Sequence, residues 1–154
     1  MSLEATSDRA HLAPGYSVGV TEEMIRTLVH AFYGKVRIDP ALAPIFNRAI
    51  GEGWDAHLAK MCDFWSSVVL MTGRFKGAPM ATHARLPELR PTHFARWLHL
   101  FAQTANAECP PDAAALFIAK SETIARSLQL GIAAARGVLP DAPGAPAAAN
   151  GRRT

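Results

Sequence analysis

Apolar residues recur along this chain at intervals of three and four, and the pattern is cleanest between Trp54 and Thr72. Trp54, Leu58, Met61, Trp65, Val68 and Thr72 alternate steps of four and three, which predicts one side of an α-helix. A second helix is predicted ahead of it. Thr21 can cap it, Glu22 and Glu23 suit the positive end of its dipole, and Pro40 stops it. Met24, Ile25, Leu28, Phe32 and Val36 form its apolar face, and Tyr33 borders that face. The stretch ALAPIFNRAI between the two reads as a connector, broken by Pro44 and anchored by Phe46. Gly73 suits a left-handed cap at the end of the 54–72 helix.

The following segment, GRFKGAPMATHARLPELRP, carries Gly73, Gly77, Pro79, Pro87 and Pro91 and leaves room for two helical turns at most. His83 lies inside it. Pro91 and Thr92 open the next helix, with Phe94, Trp97, Leu98, Phe101 and Ala105 on one face. His93, at its start, and His99, about 200° around the helix from Trp97, are expected to face water. Pro110 and Pro111 break the chain, Asp112 can cap, and a last helix should run to about Arg136. Its apolar residues are Leu116, Phe117, Ile118, Ile124, Leu128 and Ile132. No segment alternates with period two, so the predicted fold class is all-α. Residues 1–17 are expected to form a loosely ordered extension, 18–138 the folded domain, and 139–154 a disordered tail rich in Pro, Ala and Gly.

Composition narrows the function classes. A chain of 154 residues has room for one core. The net charge of +3 and pI near 9.2 come from scattered arginines, with no basic stripe interleaved with aromatics, so nucleic-acid binding is not expected. The start lacks a secretory h-region, and no apolar run approaches the roughly 18–20 residues of a membrane helix. Cys62 and Cys109 lack zinc-site spacing and read as reduced thiols in a cytoplasmic protein. There is no phosphate loop, HExxH or serine elbow, which leaves the chemistry to aromatic and histidine side chains on helices. His57, one turn before Met61, projects from the edge of the apolar stripe. It could be a buried, satisfied side chain, a metal ligand, or a donor to something bound beside the helix. The expectation is a planar cofactor between His57 and His83.

Five segments in order resemble the truncated hemoglobins: FYGKVR at 32–37, PIF at 44–46, HLAKMCDFW at 57–65, THARLP at 82–87 and HFARWLHLF at 93–101. They are most similar to the third group, the P class, over residues 18 to 135. The resemblance implies a truncated globin, a two-over-two helical sandwich around a b-type heme, with the proximal helix cut to a short turn. It matches His83 to the proximal iron ligand, whose second ring nitrogen donates to a backbone carbonyl and leaves the opposite axial position for a diatomic gas. Tyr33 and Trp97 match distal hydrogen-bond donors, and His57 the distal histidine, which could gate, donate to the ligand or bind iron. Phe32, Phe46 and Met61 would wall the distal side, Trp65 would pack on the heme edge, and Lys60 and Arg85 could meet propionates. Leu86, beside Arg85, joins the heme-contact set. His11, His30, His93 and His99 receive no role.

The function so implied is reversible binding of O₂, NO and related diatomic ligands, in transport, storage, scavenging or sensing, by a cytoplasmic monomer. The alternative is a heme enzyme, a nitric oxide dioxygenase or peroxidase-like catalyst, fed by an external reductase.

Overall fold

The computed structural model describes residues 12–77, 89–135 and 137. They form five helices and, among the described residues, no strand: α1 Glu22–Val36, α2 Ala43–Ile50, α3 Trp54–Leu70, α4 Pro91–Glu108 and α5 Pro111–Ala135. The first begins as its sequence requires. Thr21 Oγ1 accepts the Met24 N–H at 3.1 Å, and Glu22 and Glu23 occupy the first turn.

The connector expected at ALAPIFNRAI is instead the helix α2. Pro44 lies in its first turn, where the fixed φ fits and no N–H is needed, so the proline starts a helix rather than breaking one. Leu42, the cap position, makes no side-chain bond. Asp39 supplies the anchor from three residues upstream, its Oδ2 accepting the N–H groups of Ala41 and Leu42, each at 3.1 Å.

The long helix α3 ends at Leu70, two residues short of the predicted Thr72, because Met71 itself takes the left-handed turn at φ 58°. Its buried side holds Trp54, Trp65, Ser66 and Val69, while Leu58, Met61 and Val68 are half-buried and Thr72 is exposed. The buried Ser66 hydroxyl donates to Glu22 Oε2 at 2.8 Å. Arg74 reaches the same carboxylate and Asp63, at 3.0 and 3.1 Å, across an exposed surface where such pairs contribute at most about 1 kcal/mol. Ahead of α1, the Gly15 N–H donates to the Val69 carbonyl at 2.7 Å. A Cβ at position 15 would stand 2.8 Å from that oxygen, so only glycine permits the approach.

Two helix pairs make the body: α4 packs along α5, and α1 packs on both α3 and α4. Phe101 of α4 lies at the centre, fully buried, stacked between Trp97 (5.5 Å, 6°) and Trp65 (5.1 Å, 13°) and met edge-on by Phe32. Asp39, 4% exposed, ties the α1–α2 turn to α4 by accepting two bonds from the Arg96 guanidinium, at 2.6 and 2.9 Å. That guanidinium holds its carboxyl below the usual aspartate range. Cys62 and Cys109 are free thiols, both held protonated by burial. No described helix is long and apolar enough to cross a membrane.

Candidate functional site

Between the helix pairs lies an apolar cavity with about 670 Å³ of empty space, counted out to its mouth. Its walls come from every helix: Tyr33 of α1, Phe46 of α2, Met61, Phe64 and Trp65 of α3, His93, Phe94 and Trp97 of α4, and Ile124, Ala125 and Leu128 of α5. Leu89, just ahead of α4, closes the lining.

Of the residues marked by sequence, Tyr33, Phe46, Met61, Trp65 and Trp97 line this cavity together. Phe32 lies one layer behind, its ring edge-on to Tyr33 (4.8 Å), Trp97 (5.2 Å) and Phe101 (5.1 Å), so it props the wall. Lys60 is exposed and outside the lining. His83, Arg85 and Leu86 lie outside the described residues.

Tyr33 is the buried polar centre. Desolvation pushes its phenol pKa far above the ordinary tyrosine value, and only a hydrogen bond with Trp97 opposes that shift. Since an indole can only donate, the Trp97 N–H is the group that acts on the Tyr33 oxygen, while burial keeps the phenol protonated. The pair can work as a relay, an indole N–H beside a phenol that keeps its own O–H to give. Helix α4 positions the indole through the Asp39–Arg96 tie one residue away.

His57 lies apart from the lining. Its half-buried ring meets Tyr33 at 5.0 Å and Trp54 at 5.6 Å, both nearly perpendicular, so it buttresses the back of the phenol. The polar edge of Trp54 is used locally: its indole donates to Asn47 Oδ1 at 3.1 Å, and the Arg37 guanidinium sits 4.7 Å over its ring.

His93 corrects the sequence reading, which placed it in water. The ring is half-buried and lines the cavity, drawn back over the start of α4 because Nδ1 accepts the Arg90 N–H at 3.0 Å. Phe64, Leu89, Phe94, Ile124, Ala125 and Leu128 are further lining residues that sequence marked at most as core. A signal for two of them was present: His93 and Phe94 precede Trp97 by four and three residues, hence share its helix face.

Five helices with no strand among the described residues, around an apolar cavity with a phenol and an indole in its wall, define a helical protein suited to holding a flat, largely apolar group. No protein-family profile matches the chain. It is 35% identical over 113 residues to the group 3 truncated hemoglobin of Campylobacter jejuni, covering 71% of this chain and 89% of that protein. The crystal structure of the group III truncated hemoglobin from Campylobacter jejuni superposes with a TM-score of 0.69 at 35% identity, over 72% of this chain and 90% of that one. The chain belongs to the group III truncated hemoglobins. Membership of a globin family implies a heme, and the lining fits one: apolar walls suited to a macrocycle, with a buried, protonated phenol O–H among them.

Proposed function

We propose that this protein reversibly binds O₂ and related diatomic ligands at a b-type heme held by His83, with Tyr33 and Trp97 stabilising the ligand. The observation that carries the reading is the pairing of buried Tyr33 with half-buried Trp97 in the wall of an apolar cavity. When bound, a ferrous heme held by His83 would supply the iron that takes the gas.

This chain's residues do the rest. Phe46, Met61, Phe64 and Trp65 exclude water, which slows oxidation of the metal and strengthens every polar contact inside. Tyr33 is kept protonated by burial, so it donates across the whole working pH range. Its acceptance of the Trp97 N–H polarises that donor further. A hydrogen bond to a group carrying charge contributes about 1.5–3 kcal/mol, which corresponds to roughly ten- to a hundredfold in ligand affinity. The design favours retention over easy release.

The same polar pair supports a second reading, turnover of nitric oxide or peroxide fed by an external reductant. The test for both is stopped-flow kinetics on the ferrous protein reconstituted with hemin. Slow O₂ release without net oxidation supports the gas-binding role. Rapid, repeated nitric oxide consumption in the presence of a reductant supports turnover, and a chain that takes up no hemin overturns both.

A further inference from the structure

Four side chains of the cavity lining carry a nitrogen or oxygen atom: Tyr33, Trp65, Trp97 and His93. Of these, His93 is nearest the start of α4. It stands one helical turn before Trp97 on α4, about 6 Å nearer the start of the helix, and it is half-buried where Phe94 and Phe101 are buried. It is therefore a half-buried polar group of the lining, as Trp97 is, whereas Tyr33 is buried.

Its chemistry is narrowed by one bond. Nδ1 accepts the Arg90 backbone N–H at 3.0 Å, so the neutral ring carries its hydrogen on Nε2. An imidazole held this way has no Nε2 lone pair to give a metal and has one N–H to give an acceptor. An acceptor here would also meet the positive end of an 18-residue helix whose first turn has no acidic side chain. Of the two cations that sequence offered for this task, Lys60 is exposed and away from the lining, and Arg85 lies outside the described residues.

We propose that His93 is a binding residue for the cofactor, its Nε2–H holding one heme carboxylate. The proposal rests on the heme reading above. It gives α4 two jobs one turn apart, anchoring the polar edge of the cofactor with His93 and tuning the gas donor with Trp97.

The test separates the donor from the cap. Glutamine and glutamate at this third helical position can both accept the Arg90 N–H, as in a capping box, so both variants keep the helix start. Only glutamine keeps a donor, and glutamate adds a charge that repels a carboxylate. Holoprotein prepared with hemin is mixed with an excess of a tight heme-binding acceptor protein, and the rate of hemin loss is followed by absorbance. His93→Glu should lose hemin at least about tenfold faster than the unaltered protein, and His93→Gln within about threefold of it, as for one charged hydrogen bond made or lost. With hemin dimethyl ester, whose carboxylates are masked, the gap between the two variants should close. Equal loss rates for the two variants with hemin, or a gap that survives esterification, would overturn the proposal. A chain that takes up no hemin overturns the heme reading and this proposal with it, a result distinct from equal retention by variants that do bind it.

Discussion

The starts of α3 and α4 each carry an imidazole within their first turn, and the fold uses the two differently. At the start of α3, Trp54 and His57 are absorbed into an aromatic cluster with Tyr33, and the Trp54 indole is bonded to Asn47 and covered by Arg37. At the start of α4, His93 and Phe94 face the cavity in line with Trp97. One start ties helices together and the other presents chemistry. The lesson is that apolar periodicity identifies the inward side of a helix but cannot say whether that side meets a neighbouring helix or a cavity.

The comparison is broken most forcefully at the donors. Replacing both Tyr33 and Trp97 by Phe should speed O₂ dissociation roughly ten- to a hundredfold. Tyr33→Phe alone should do less than the double change, because it frees the Trp97 N–H to act in its place. Stopped-flow rates unchanged in the double variant would mean that the relay does not face the ligand.

Next in size is the opposite prediction for the α3 start. Trp54→Phe loses a hydrogen bond and most of a cation–π contact, and should lower the unfolding free energy by about 1–2 kcal/mol in urea titration. O₂ dissociation should stay within about threefold of the unaltered protein; a tenfold change would move Trp54 into the ligand site.

A comparable stability effect, with a pH signature, belongs to Asp39. Its folded-state pKa is lowered, first by the Arg96 guanidinium and then by the Leu42 and Ala41 amides, so it stabilises the fold above the ordinary aspartate pKa near 4. That stabilisation is lost as pH falls through the lower folded value. Asp39→Asn should therefore be less stable by about 1–2 kcal/mol at neutral pH, with the deficit shrinking as pH drops below about 4. A deficit independent of pH would contradict the assigned cause. Smallest is His57→Ala, which removes a ring packed edge-on against Tyr33 and Trp54 and should change O₂ dissociation less than the loss of either donor.

The sequence made the long helices legible because their apolar faces repeat over four or more turns and their ends carry Thr21, Pro91 and Pro111. α2 escaped because a proline in a short segment was weighed as a breaker, although its ring suits a first turn. The inward side of α3 was read partly off target, since Ser66 is buried through its bond to Glu22 while Thr72 falls beyond the helix end. Five of the marked site residues do meet in one cavity, Tyr33 and Trp97 among them. His93 was passed over although it stands one turn before Trp97, because the bond from the Arg90 N–H that turns its ring inward is not encoded by periodicity.

The proposed function turns on His83 as the iron ligand. The most direct test is His83→Gly, reconstituted with hemin, reduced, and examined by resonance Raman spectroscopy with and without added imidazole. The account predicts an iron–histidine mode in the unaltered protein, its loss in the variant, and an iron–imidazole mode restored by the added base. An iron–histidine mode that persists in His83→Gly without imidazole would contradict it.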